Sequence, residues 1–253
     1  MPKKYCSISH FLLLGVFGLF FVISQFQSSC KSKPIQSTIS SPAAVSTPSS
    51  SAVIPATDAT LPKEQGDFRK ADLVELIKFD PAVKLDIRYA TANNFVGRPV
   101  YPEARAFLQR PAAEALKRAH QRLQKQGFGL LIFDGYRPWA ITKLFWEVTP
   151  PKLHDFVANP AKGSKHNRGC AVDLSLYDLK SDQEIEMPGA YDEMTERSYP
   201  TYKGGTESQR KMRDVLRRAM EAEGFRVNDY EWWHFDFKDW KSYPILNISF
   251  SDL

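Results

Sequence analysis

His166, Asp173, Glu231 and His234 lie in two short segments, Ser164-Lys-His-Asn-Arg-Gly-Cys-Ala-Val-Asp173 and Glu231-Trp-Trp-His234. Two imidazoles and a carboxylate are a donor set for a zinc ion. The second carboxylate can take a proton from an attacking water. Three protein ligands leave a tetrahedral cation with one open position, which separates a catalytic site from a closed structural one. His166 falls in a loop and Asp173 in the strand that follows, so both side chains can turn toward one point. Gly169 supplies the backbone freedom for that bend. His234 closes the third corner from a distant segment. Glu231 and His234 are three apart and would face opposite sides of a flat strand. The sequence therefore predicts irregular backbone at Trp232-Trp233.

The elements that must hold these residues follow from hydrophobic spacing. Leu73–Phe79 and Val83–Tyr89 alternate and predict a strand pair around the turn Asp80-Pro81-Ala82. Pro111–Gln126 predicts a helix, with Ala112, Leu116, Ala119 and Leu123 on one face and Gly127 at its stop. Gly129–Asp134 reads as a buried strand. Trp139–Glu147 reads as a helix entered through Pro138 and ended by Pro150 and Pro151. Ala171–Tyr177 alternates as a strand, with Ala171, Asp173 and Ser175 on one face. Thr206 is a candidate N-cap for a helix running to Glu223, and Trp232–Phe237 is the last strand candidate. Strands and helices interleave without regular alternation, which predicts an α+β fold with a largely antiparallel sheet and flanking helices.

The remaining sequence sets the context. Residues 1–30 read as a signal peptide: Lys3 and Lys4 precede an apolar run from Phe11 to Ile23 that is too short to span a bilayer. Gln27-Ser28-Ser29-Cys30 has the small residues of a lipoprotein cleavage box, so Cys30 is the expected lipid site and the protein is expected to be exported and membrane-anchored. Residues 31–64 are rich in Ser, Thr, Ala and Pro and predict a disordered spacer, leaving 65–253 as one domain. The three cysteines are Cys6, Cys30 and Cys170, which gives no disulfide framework. A net charge of +5 with scattered basic residues gives no reason to invoke nucleic acid. His120 and His154 read as structural.

Ser-x-His-x-x-Gly-x-Ala-x-Asp followed by Glu-x-Trp-His resembles the zinc D-alanyl-D-alanine dipeptidases, including those of vancomycin resistance. Arg88-Tyr-Ala-Thr-Ala-Asn-Asn-Phe-Val-Gly97, Asp134-Gly-Tyr-Arg-Pro138, Met187-Pro-Gly-Ala-Tyr-Asp192 and Glu196-Arg-Ser198 extend the resemblance. It implies a D,D-peptidase/hedgehog-like fold and one zinc ion per chain on His166, Asp173 and His234. It further implies Glu231 as general base and Arg137 as oxyanion donor. Tyr89 and Asp192 would lie at the substrate ammonium, and Ser164 would be a hydrogen-bond donor near the substrate. The implied reaction is hydrolysis of the D-Ala-D-Ala dipeptide to two D-alanines, and the expected export points to salvage or turnover of cell-wall peptides.

Two departures stand out. Lys165 occupies a position where a small residue is common, and its charge would bear on the substrate carboxylate. Cys170 stands three before Asp173, where it could compete for the metal. Two other functions fit the same motifs: a D,D-carboxypeptidase trimming peptidoglycan stems, and a non-catalytic wall-binding lipoprotein with structural zinc.

Overall fold

The computed structural model describes residues 60–253. The signal segment, Cys6, Cys30 and nearly all of the spacer lie outside them. Glu64, at the spacer's end, pairs with Arg168 and accepts a hydrogen bond from the Ile245 backbone N–H at 2.6 Å.

In chain order the elements are β1 (Leu73–Glu75), α1 (Leu76–Phe79), β2 (Lys84–Leu85), β3 (Phe107–Gln109), α2 (Arg110–Gln124), β4 (Phe128–Asp134), α3 (Trp139–Val148), β5 (Ala171–Asp178), α4 (Glu207–Glu221), β6 (Phe225–Val227) and β7 (His234–Phe237), with short 3-10 turns between them. A five-stranded sheet runs β2-β4-β5-β7-β6, and β1 and β3 form a small separate one. Among the described residues only the β2–β4 pairing is parallel. The α+β architecture with a largely antiparallel sheet is as the sequence predicts.

Period-two alternation divides the large sheet into two unlike faces. Leu130 and Ile132 of β4 stand opposite Leu176 and Leu174 of β5, and Val172 stands opposite Phe235 of β7. These side chains are fully buried. Helices α2 and α4 cover them with Leu116, Leu123, Leu216 and Met220. Each such leucine is worth roughly 1.5–3 kcal/mol of burial. The alanines of α2 (Ala112, Ala115, Ala119) are buried completely and let the helix approach closely. Thr206 caps α4 in a capping box with Gln209, each side chain taking the other's backbone N–H at 3.1 and 2.7 Å.

The opposite face carries Asp173, paired in register with His234, and Ala171, paired with Asp236. A bulge at Phe133 shifts the β4 register, so that Asp134 stands opposite Asp173. An extra residue of this kind re-aims the side chain that follows it.

The predicted pairing of Leu73–Phe79 with Val83–Tyr89 does not form. Leu73–Glu75 pairs with Phe107–Gln109, Leu76–Phe79 makes one helical turn, and Lys84–Leu85 joins β4. The apolar residues Leu73, Leu76 and Phe79 are also spaced by three, so the run fits a helical turn as well as a strand. The tertiary partner decides. Strand β3 then shoulders the site: Phe107 O accepts from Tyr136 N at 2.7 Å, and Gln109 N donates to Gly169 O at 2.8 Å.

Candidate metal centre and cleft

The His166 loop is built from local polar bonds. Ser164 Oγ accepts from His166 N at 3.2 Å, and Ser164 N donates to Asn167 Oδ1 at 2.8 Å. His166–Arg168 forms a 3-10 turn that Gly169 ends in the left-handed region, at φ 64°. A Cβ there would meet Leu73 Cδ2 at 2.4 Å, so the bend requires glycine. Asn167 Nδ2 donates to Arg137 O and Thr142 Oγ1, both at 2.8 Å, and Arg137 N donates to His166 O at 3.1 Å. The loop of His166 and the segment of Arg137 are thus fixed to each other.

His166 Nε2, Asp173 Oδ1 and His234 Nδ1 converge. The separations are 3.3 Å (His166–Asp173), 3.1 Å (His234–Asp173) and 3.1 Å (His166–His234). A tetrahedral cation with ligands at roughly 2.0–2.1 Å needs donor separations of about 3.3 Å. All three residues are buried. Among the described residues Asp173 Oδ1 has no hydrogen-bond donor despite that burial, which a cation would remedy.

Each imidazole has its outer nitrogen engaged. His166 Nδ1 faces Gly135 O at 2.7 Å, and His234 Nε2 faces Asp236 Oδ1 at 2.9 Å. Donating outward leaves the inner nitrogen with its lone pair for a metal. Electrostatics agree. Burial disfavours an ionised Asp173, yet His166 and His234 hold its carboxyl well below the usual range. Burial also disfavours a charged His234, but the Asp236 and Asp173 carboxylates overcome it and push the imidazole up to about 10. A field this negative draws a cation, whether proton or metal.

Glu231 is placed as the spacing required. Trp232 and Trp233 form a turn, His234 N bonds back to Glu231 O at 3.3 Å, and β7 starts only at His234. The turn is pinned by Trp232 N to Ser198 O (2.8 Å) and Trp232 Nε1 to Gly189 O (3.2 Å). Glu231 Oε2 then lies 3.5 Å from His234 Nδ1. Burial raises its carboxyl to about 7.

Arg137 pairs with Asp134 and still lines the cleft. Asp134 Oδ2 receives Nε at 2.9 Å and Nη2 at 2.8 Å, while Asp134 Oδ1 receives Tyr101 Oη at 2.9 Å and Gly135 N at 2.8 Å. Nη2 is also 3.7 Å from Asp173 Oδ2. Tyr89 Oη donates to Asp192 Oδ2 at 2.9 Å. Burial, with the nearby Asp173 charge, drives the Asp192 carboxyl well above its ordinary value. Asp192 holds a left-handed backbone, φ 60°.

One cavity of about 740 Å³ is lined by all eight predicted residues: Tyr89, Arg137, Ser164, His166, Asp173, Asp192, Glu231 and His234. Cys170 stays out of the metal-ligand group; its thiol is buried and pushed up to about 12 by burial. His120 pairs with Asp80 and His154 with Thr149 O, as structural residues do. Two contributors escaped the sequence reading. Gly135 acts through a carbonyl and leaves no side-chain signal. Asp236 did leave one: it lies two residues beyond His234, on the same face of a strand.

A family model described as D-ala-D-ala dipeptidase, of the Peptidase_M15 group, matches residues 69–251. The D-alanyl-D-alanine dipeptidase of Escherichia coli (strain K12) is 33% identical over 180 residues, covering 71% of this chain and 92% of that protein. The D-alanyl-D-alanine dipeptidase of Enterococcus faecalis (strain ATCC 700802 / V583) is 34% identical over 187 residues, covering 67% and 92%. A solved structure of the vancomycin resistance D,D-dipeptidase VanXYg, in complex with a D-Ala-D-Ala phosphinate analog, is similar over 67% of each chain at 19% identity and a TM-score of 0.34.

Proposed function

The chain belongs to the D-ala-D-ala dipeptidase family of M15 peptidases, and from that premise we propose that it hydrolyses D-Ala-D-Ala with one zinc ion held by His166, Asp173 and His234. The observation that carries the metal assignment is the buried triangle of ligand atoms whose Asp173 corner finds no hydrogen-bond donor among the described residues.

When bound, zinc lowers the pKa of water to about 7 and polarises a carbonyl oxygen. The chain's own residues supply the rest. Glu231 takes the proton as the water oxygen adds to the amide carbon. Arg137 presents a guanidinium to the oxyanion that develops. The C–N bond then breaks, and Glu231 returns the proton to the leaving nitrogen, giving two D-alanines. Asp192 makes no ion pair among the described residues and feels Arg137 only at longer range, so a substrate ammonium there would compensate its burial, with Tyr89 orienting the carboxylate. Ser164 has its oxygen engaged by His166 N and keeps a hydroxyl proton to donate.

Chelation is the direct test. Removing the metal from the full chain is expected to abolish D-Ala-D-Ala hydrolysis, zinc is expected to restore it, and the melting temperature should rise with zinc. At a thousandfold excess of metal over its Kd the stabilisation is about 4 kcal/mol. Activity that survives exhaustive chelation would remove the metal from the reaction. The cavity, at about 740 Å³, also has room for a second reading, the trimming of longer D-Ala-D-Ala-ended stems. A stem pentapeptide belongs in the same assay, and turnover of it in preference to the dipeptide would favour that reading. The buried base candidate Glu231 argues against a purely structural metal.

The reading also includes export and a lipid anchor at Cys30, supported by the apolar run and the small residues before that cysteine. Cys30→Ser is expected to move the protein from the membrane fraction to the soluble fraction. An unchanged distribution would discard the anchor.

A further inference from the structure

Lys165 is the residue at which the loop departs from its expected small side chain, and its ammonium is already engaged. Nζ lies 3.2 Å from Asp236 Oδ2, while Asp236 Oδ1 lies 2.9 Å from His234 Nε2. The two oxygens of one carboxylate are divided between a lysine and a metal-ligand histidine. Lys165 directly precedes His166 in the chain, and Asp236 lies two residues after His234. The pair therefore joins the loop of one imidazole to the strand of the other. Asp236 is well shielded, its side chain 16% exposed, and Lys165 is 37% exposed. The Lys165 ammonium also sits 5.5 Å from the Trp240 ring centroid.

We propose that Asp236 and Lys165 are positioning residues of the metal centre: Asp236 fixes the His234 ring with Nδ1 turned inward, and Lys165 fixes Asp236. The assignment rests on reading His166, Asp173 and His234 as the metal site. It differs from the expectation that Lys165 contacts the substrate carboxylate. An ammonium spent on Asp236 is not free for that contact, and the carboxylate it holds is one the metal site uses. Outer partners of metal-bound histidines set ring orientation and ligand basicity. Lys165 acts one bond further out and partly in solvent, so its effect is smaller.

The test measures zinc affinity by competition with a chelator, alongside kcat and KM for D-Ala-D-Ala, on the full chain. Asp236→Ala is expected to weaken zinc about 10- to 100-fold. Lys165→Met is expected to weaken it about two- to fivefold, with Lys165→Arg restoring it. In an Asp236→Asn background, which keeps an acceptor and the side-chain shape, Lys165→Met should have no further effect, because the ammonium then has no charge to hold. Melting of the zinc-free variants at the wild-type temperature shows that the fold is intact.

Two results would overturn the assignment. One is a raised KM in Lys165→Met with zinc affinity unchanged, which makes Lys165 a substrate contact. The other is full additivity of the two substitutions. A wild-type chain that takes no zinc from the chelator would instead overturn the metal site itself, and this assignment with it.

Discussion

Glu231→Gln is expected to lower kcat for D-Ala-D-Ala by about 10²- to 10⁴-fold, the range for removal of a general acid–base group, with zinc affinity unchanged. Glutamine keeps the volume and the hydrogen-bonding reach but cannot accept the proton. The separation from metal binding follows from geometry: Glu231 lies outside the ligand triangle, 3.5 Å from His234 Nδ1. Its titration gives a second signature. Burial raises the carboxyl to about 7, and a dication beside it favours the ionised form and brings it down. A base works ionised. The wild-type kcat/KM should therefore rise with pH through a limb centred no higher than about 7. A Glu231→Gln enzyme within tenfold of wild type would remove the base assignment.

Arg137→Lys is expected to cost about 10²- to 10³-fold in kcat with little change in KM, as for loss of an oxyanion donor. Asp134 holds Nε and Nη2, leaving Nη1 donating to none of the described residues. A lysine has one nitrogen. Asp134 would claim it, and nothing would remain to face the charge that develops on the substrate. Lysine also keeps Asp134 neutralised, so the substitution avoids the stability loss that an unpaired buried carboxylate would bring. Melting temperature separates the two roles. A stable Arg137→Lys enzyme with near wild-type kcat would make Arg137 a structural partner of Asp134 and nothing more.

The residues that meet in the cleft were easier to pick from sequence than the scaffold that holds them. His166, Asp173 and His234 were picked as a donor set by side-chain type and do lie together, and the three-residue spacing of Glu231 and His234 called for the turn that precedes β7. Helices α2 and α4 could be read because fifteen-residue elements repeat their period several times. Strands β3 and β6 have three residues each, too few to show any period. The Phe133 bulge is invisible for a related reason: the run Leu130–Phe133 is apolar throughout, so one extra residue alters no pattern. The Leu73–Phe79 run fitted two periods at once, and only its neighbour Phe107–Gln109 selected between them. Gly135 contributed a carbonyl, which sequence does not encode.

Asp173 and His234 face each other as register partners on neighbouring strands, although the chain leaves the sheet between them to make Tyr191, Asp192 and α4. A cation shared by the two residues is therefore a clasp across a long excursion. Binding the folded chain and not the unfolded one, it would hold the two ends of that excursion together and stabilise the fold. Under the proposed function, the ion that serves the chemistry would also fasten the segment that carries Tyr191 and Asp192.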